Sequence, residues 1–357
     1  MKKTIGIAVL IGSVAATFTA LYAADNVATN PNYPAWAYGV PPPAPPGATP
    51  PAPVRDDGTM LSVPGSDQKF TLNKIRGRRD NDTPARVAPA DWFPSEHPQM
   101  PNIVAQGDES RGIVACSLCH YPNGKGRSEN ASPAALPKEY ILRQLHDMKD
   151  DMRASAERRK GNTQQMVSFA KAMTEDEIQA AATYFSSMKW TPWIKVVETD
   201  TVPKTRSQGG MWIPLDGAQA GTEPIGNRVV EVPDNARFTE TLRNPHSPFT
   251  AYVPKGAVAK GKDLVTTGGN GKTIACTVCH GDDLNGIGSV PPIAARSPSY
   301  TARQLFDFQQ GARHGDMADL MKKVASKLTN DDMINITAYL ASLPAPATVA
   351  YQSTASK

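Results

Sequence analysis

Two stretches of the chain carry the apolar spacing of an amphipathic helix, each behind a threonine and several acidic residues. Thr174 precedes the first stretch and Thr329 precedes the second. Threonine is a good helix N-cap, and carboxylates in the first turn favour the positive end of the helix dipole. Apolar residues then recur every three or four positions, which predicts one buried face per helix. These positions are Ile178, Ala181, Ala182 and Phe185 in the first stretch and Met333, Ile336, Thr337 and Leu340 in the second.

The pattern continues upstream of both helices as an internal repeat. Tyr140 stands twenty residues after His120, and Tyr300 stands twenty residues after His280, so the two copies are offset by 160 residues. Closer to the helices the offset falls to 155, which indicates five extra residues in a loop of the first copy. We therefore predict two homologous, mainly helical domains, which are residues 99–190 and 255–345.

Residues 25–98 lie outside the repeat and are rich in proline. The run at 41–46 favours extended polyproline and cannot build a packed core. Apolar anchors follow later in this segment. We predict an extended N-terminal arm that lies on the domains, or a partly disordered tether with an ordered end. The anchors are Phe70, Leu72, Trp92 and Phe93.

Residues 191–254 connect the two domains and are too long for a simple linker. They contain three short β-type runs, at 194–197, 211–215 and 228–232, separated by glycine and proline. We predict a small hairpin or strand layer here, and a short tail at 346–357.

Residues 1–24 have the features of an export signal. Two lysines precede the apolar residues 5–21, and small alanines follow them. Cleavage is expected near Asp25, which predicts a periplasmic protein. The apolar stretch is long for a cleaved signal, so an uncleaved membrane anchor is the alternative.

The overall charge excludes one class of partner. The chain has 38 Lys and Arg residues against 34 Asp and Glu residues, a formal net charge of +4. Such a small excess gives no general affinity for nucleic acid.

All four cysteines of the chain belong to two copies of Cys-x-x-Cys-His, at 116–120 and 276–280. This spacing is typical of c-type haem attachment, because two thiols must reach two vinyl groups of one porphyrin while the next histidine reaches the iron. We predict two covalently bound haem c groups. Their attachment residues are Cys116, Cys119, Cys276 and Cys279, and their axial histidines are His120 and His280.

Three other interpretations of the motifs fit the sequence less well. A zinc site built from two Cys-x-x-Cys knuckles leaves the following histidines unexplained. Thioredoxin-like dithiols would require a strand-to-helix junction in a βαβ unit, and no such alternation surrounds either motif. A disulfide across two intervening residues would constrain little of the unfolded chain.

Each half resembles a class I cytochrome c domain, and the pair is similar to the tandem dihaem cytochrome c family. The resemblance covers roughly residues 100–190 and 255–345. It implies a mainly α fold with two cytochrome c domains, an extended N-terminal arm and a strand-containing connector. It also implies a first helix near 101–107 and 257–266, a middle helix against the porphyrin, and a loop that supplies an axial methionine just before the C-terminal helix.

The resemblance assigns Met166 and Met321 as the axial methionines, because both precede the capping threonine at the family's spacing. Bis-histidine ligation is the alternative. The residues that compete locally for these roles are Met148, Met152, Met173, Met317, His146 and His314.

In the family, a proline carbonyl holds the ring N–H of the axial histidine and fixes its orientation. Pro291 or Pro292 fits this role for His280. In the first copy Pro133 is displaced from that register, which leaves the partner of His120 unassigned. The repeated Tyr-x-x-Arg-Gln segments either approach the haem and its propionates or only pack the helices.

The resulting prediction is a dihaem electron carrier and not an enzyme. Single electrons would pass between redox partners, such as a dehydrogenase on one side and an oxidase or another cytochrome on the other. The alternatives are a dihaem peroxidase or small inorganic sulfur compound dehydrogenase with one open haem, and the cytochrome subunit of a larger dehydrogenase.

Overall fold

The computed structural model describes residues 27–43, 47, 52–83 and 85–345 of the 357-residue chain. The predicted signal and tail lie outside the described residues, as does part of the proline run. No helix in the described part of the chain is both long and apolar enough to cross a membrane.

The first half of the molecule, residues 99–190, is a set of helices that ends with the predicted capped helix. Thr174 Oγ1 accepts a hydrogen bond from the Glu177 backbone, and the Glu177 carboxylate accepts one from the Thr174 backbone. This capping box satisfies two backbone N–H groups at the helix start. The helices of this half are Asn102–Ala105, Cys116–His120, Lys138–Lys149, Gly161–Ala172 and Glu175–Ser186.

The second half, residues 255–345, repeats this order with a longer first helix. A Cβ atom at Gly261 would overlap the backbone carbonyl of Asn335, so the first and last helices of this half cross with their backbones in contact. The equivalent helix of the first half has only four residues, which is shorter than predicted. The helices of the second half are Ala257–Thr267, Thr277–His280, Pro298–Gln309, Ala318–Ala325 and Asn330–Ser342.

The five extra residues of the first copy follow its middle helix. The segment after that helix is residues 150–160 in the first half and 310–317 in the second. Relative to the repeat, the helix Gly161–Ala172 also begins two residues earlier than Ala318–Ala325. The insertion predicted for the loop is therefore shared between the loop and this helix.

The connector forms the predicted strand layer. In its three-stranded sheet, Phe249–Val253 is central and pairs in parallel with Ile194–Glu198 and antiparallel with Val230–Pro233. A hairpin joins Thr205–Gln208 to Met211–Pro214, and Thr201–Pro203 pairs antiparallel with Thr222–Pro224.

The connector contributes side chains to the cores of both halves. Val229 and Val253 belong to the core of the second half, whereas Ile213 and Phe249 belong to the core of the first half. The strand layer therefore lies between the halves and holds them together by apolar burial.

The arm packs on the rest of the molecule. Tyr33 donates a hydrogen bond to Glu157 of the first half (2.6 Å), and Trp36 Nε1 donates one to Asn330 of the second (3.0 Å). Further along the arm, Ile75 and Trp92 pack with Leu242 of the connector. Together with the helix-rich halves and the stranded connector, this confirms the predicted fold class.

Candidate haem sites

The second half contains a cavity, here called the C-terminal cavity, that brings together all its predicted site residues. Cys276, Cys279, His280 and Met321 line it, and its volume is about 1670 Å³ including the part open to solvent. The other walls are mostly apolar, which suits a porphyrin. Among the apolar lining residues are Ile293, Leu305, Phe308, Leu328, Ile336 and Leu340.

The axial histidine of this cavity is held in one orientation. His280 Nδ1 lies 2.7 Å from the backbone carbonyl of Pro291, one of the two prolines predicted. When Nδ1–H donates this bond, Nε2 keeps its lone pair for a metal. Burial lowers the pKa of His280, which favours the neutral imidazole that can act as a ligand.

The first half contains a second cavity, the N-terminal cavity, which His120 and Met166 both line. Met166 and its counterpart Met321 lie in helices and not in the loop that was predicted to supply them. The volume of the N-terminal cavity is about 870 Å³ including the part open to solvent. His120 Nδ1 lies 2.9 Å from the carbonyl of Ala131. Burial lowers the pKa of His120 as it does for His280. The histidine of this half is therefore oriented in the same way as its counterpart.

Ala131 is a functional residue that the sequence interpretation missed. It stands 160 residues before Pro291, at the offset of the repeat. The backbone carbonyl of Ala131 accepts the hydrogen bond from His120, and any residue can supply such a carbonyl. The repeat offset, rather than the identity of the residue, was the signal that could have found it.

The cysteines of the first half lie beside His120 and not in the cavity wall. Neither Cys116 nor Cys119 is among the described residues that line the N-terminal cavity. The Cys116 thiol faces the carbonyl of Ile103 at 3.4 Å, and burial raises the pKa of this thiol to about 12. All four cysteines are unpaired thiols, so each is available for a thioether bond.

The competing histidines are engaged at the surface. His146 Nε2 lies 2.9 Å from the Glu175 carboxylate, and its side chain is 43% exposed. His314 is also exposed and contacts the Gly311 carbonyl at 3.1 Å. Neither position supports bis-histidine ligation.

Among the competing methionines, two line a cavity. Met148 is buried at the N-terminal cavity, and Met317 stands at the mouth of the C-terminal one. Met173 is buried in the helical core, as predicted, and Met152 is partly exposed. In the described part of the chain, no cluster of three or more His, Cys, Asp and Glu side chains is arranged to hold a metal ion.

A polar cluster separates the two cavities. Arg153 and Arg313 are equivalent in the repeat, and both are buried. Their backbones form an isolated antiparallel β-bridge across the boundary between the halves. Each guanidinium bonds to glutamines of both halves and to the tyrosine of the other half. The bonds are Arg153 to Gln144 (2.8 Å), Gln304 (3.1 Å) and Tyr300 (3.0 Å), and Arg313 to Gln304 (3.1 Å), Gln144 (2.5 Å) and Tyr140 (3.4 Å).

This boundary is a region of positive potential. In the part of the chain that the structure describes, the carboxylates of Asp147 and Asp307 are buried close enough to interact with the two guanidinium groups, but neither carboxylate forms a direct ion pair with them. Burial pushes the pKa of Tyr140 upward, but the charges of Arg313 and Arg153 outweigh burial and hold the pKa below its ordinary value. Because the glutamines and tyrosines of the cluster line both cavities, this potential suits a cofactor that carries carboxylates, as haem carries propionates.

Known proteins resemble the chain over both halves. Cytochrome c4 of Pseudomonas aeruginosa is 25% identical over 246 residues, which are 67% of this chain and 90% of that protein. The thiosulfate dehydrogenase electron acceptor of Thiomonas intermedia is 25% identical over 236 residues, which are 65% of this chain and 79% of that protein.

Shorter matches support the same family. The sequence profile of the family described as cytochrome c matches residues 258–344. Cytochrome c-554(548) of Halomonas halodenitrificans is 31% identical over 88 residues, which are 24% of this chain and 96% of that protein. The chain therefore belongs to the class I cytochrome c family, as a tandem member that carries two covalently bound haem c groups.

Proposed function

We propose that this chain is an exported electron carrier with two six-coordinate haems. The proposed attachment residues are Cys116 and Cys119 in the first half and Cys276 and Cys279 in the second. The proposed axial pairs are His120 with Met166, and His280 with Met321. The observation that carries this proposal is that each cavity is lined by a histidine with its Nδ1 engaged and by a methionine from the helix just before the C-terminal helix of that half.

This ligand set favours electron transfer over substrate chemistry. When a protein ligand occupies each face of the iron, no position remains for a substrate. A bound haem c supplies one-electron redox chemistry, and a thioether ligand raises its reduction potential. The mostly apolar walls of the C-terminal cavity would limit contact between a bound haem and water, which also raises the reduction potential.

The cluster around Arg153 and Arg313 supports transfer between the two sites. The proposed role of these guanidinium groups is to offset propionate charge at the boundary that both cavities share. The buried carboxylates of Asp147 and Asp307 interact with both guanidinium groups and offset part of their charge, and the propionates would offset more of it.

The partners of such a carrier would be other redox proteins in the periplasm. A relative named as the electron acceptor of thiosulfate dehydrogenase is compatible with a dehydrogenase as the donor. Co-purification with a flavin- or quinone-dependent protein would instead favour the role of a dehydrogenase subunit.

The test is carbon monoxide binding to the dithionite-reduced, haem-loaded protein. The wild type should show no spectral change, because carbon monoxide needs an open iron position. Met166→Ala and Met321→Ala should each give a change in about half of the haem.

Met148→Leu and Met317→Leu are the matched controls, since both methionines line a cavity but are not proposed ligands. They should behave as the wild type does. A change in about half of the wild-type haem would identify one open site and favour the dihaem enzyme.

A further inference from the structure

The two haem-attachment segments are equivalent in sequence but differ in exposure. In the second half, Val278 is 68% exposed and Ile287 is 58% exposed. Their counterparts at the 160-residue offset, Leu118 and Arg127, are 9% and 7% exposed. One attachment segment therefore faces solvent and the other is covered by protein.

The cover over the first attachment segment comes from the arm and the connector. Arg243 donates a hydrogen bond to the carbonyl of Leu118 (2.6 Å), and Tyr121 donates one to the carbonyl of Thr239 (3.4 Å). The arm approaches from the other side, since a Cβ atom built at Gly77 would lie 3.5 Å from the Leu118 side chain. Trp92 of the arm ties the two parts of the cover together by donating to the carbonyl of Leu242 (2.7 Å).

The segment after the first histidine is enclosed as well. Arg303 of the second half donates to the carbonyl of Ser128 (2.8 Å), and Asn162 donates to the carbonyl of Glu129 (2.7 Å). The hairpin of the connector adds Gly210, whose position lies directly against the Glu129 side chain. A large partner cannot approach the first attachment segment without displacing these contacts.

The exposed segment of the second half is an apolar surface. Val278 and Ile287 lie outside the C-terminal cavity, so a porphyrin in the cavity leaves them exposed. Ile274, Met317 and Leu320 line the mouth of the cavity, so a bound haem would cover part of their surface. These three residues together with Val278 and Ile287 are here called the apolar port, because apolar side chains grouped around one opening mark an interaction site.

The charges near the apolar port balance. Four lysines and four aspartates are exposed or half exposed in the two segments that carry it, so their net charge is zero. A partner is therefore held by apolar contact and not by electrostatic steering. The charged residues are Lys272, Lys322, Lys323, Lys327, Asp282, Asp283, Asp316 and Asp319.

We propose that the apolar port is the one place where this molecule exchanges electrons with other proteins. The occupant is a redox protein with an uncharged apolar docking surface of its own, bound transiently through a small contact area. The haem of the first half then gains and loses electrons only through the haem of the second half. This inference rests on the proposed function and adds to it the surface through which electrons enter and leave.

The experiment mixes the oxidised, haem-loaded protein with a reduced blue-copper protein whose docking surface is apolar and uncharged. Val278→Lys and Ile287→Lys should each slow reduction of all the haem roughly tenfold, because each places a charge in the apolar contact. Val54→Lys is the matched control, since Val54 is 64% exposed but lies on the arm, and it should leave the rate unchanged. High salt should change the wild-type rate by less than about twofold.

Three results would overturn the port. If half of the haem in Val278→Lys keeps the wild-type rate, the first half has its own entrance. A wild-type dimer that Val278→Lys converts to a monomer in sedimentation would mean that a second copy covers the surface. If Val54→Lys slows haem reduction as much as Val278→Lys does, the effect of the added charge is not specific to the apolar port. Carbon monoxide binding by the wild type would count against the proposed function alone. The fraction of haem whose reduction is slowed in Val278→Lys would still show whether electrons enter at the apolar port.

Discussion

Lys160 shows how one buried charge affects the stability of this molecule. Its side chain is 4% exposed, and its ammonium donates to the carbonyl of Tyr38 at 3.3 Å. Burial, with a contribution from the charge of Arg303, lowers the pKa of Lys160 to about 7. An unfolded lysine keeps its proton to about pH 10. Between pH 7 and pH 10 the unfolded chain therefore binds more protons, and stability should rise with pH in this range.

Lys160→Met should remove this rise. The variant should be more stable than the wild type by roughly 2 kcal/mol at pH 6, where the cost of the buried charge is fully present. The free energy of unfolding measured from pH 6 to pH 10 checks this. Lys171→Met is the control, because Lys171 is an exposed lysine paired with Asp151. Parallel profiles for the wild type and Lys160→Met would contradict the assignment.

At the scale of elements, the crossing of two helices in the second half depends on one glycine. Gly261→Ala should destabilise the protein by roughly 1–3 kcal/mol, because the new methyl group would overlap the backbone at Asn335. Gly161→Ala is the matched control. Gly161 is also a helical residue, at the start of its helix, but there is open space around its Cβ position. Gly161→Ala should be neutral or slightly stabilising. Denaturant midpoints check both, and equal midpoints would contradict the close crossing.

Elements with local signals could be predicted from the sequence. The capped C-terminal helices and the strand runs of the connector are determined by neighbouring residues, and the structure has them close to the predicted bounds. The first helix of the first half was predicted too long, because its few apolar residues pack in only one turn.

Features that depend on distant contacts could not be predicted in this way. The cover over Leu118 comes from Arg243, which is 125 residues away in the chain. Arg153 and Tyr300 meet across 147 residues. No periodicity or spacing in the sequence records such pairs, so the difference in exposure between the two attachment segments became visible only in the fold.

At the scale of the whole molecule, the arm is a structural part of the fold. Trp36 is 7% exposed, and its indole bonds to Asn330 while its carbonyl accepts from Trp212 of the connector. Trp36→Ala should cost roughly 3–5 kcal/mol of unfolding free energy. Trp36→Phe keeps most of the apolar contact and should cost only about 1 kcal/mol for the lost hydrogen bond. Equal losses for the two variants would show that ring burial is not the main contribution.

The cover over the first attachment segment also constrains how the protein is made. An enzyme that joins haem to Cys116 and Cys119 must reach both thiols, yet in the finished fold the neighbouring Leu118 is enclosed by the arm on one side and by the connector on the other. The connector follows the first motif in the chain, so the thiols stay reachable until it docks. Maturation of the first half therefore has to come before the connector docks, whereas Val278 and Cys279 of the second motif stay exposed after folding.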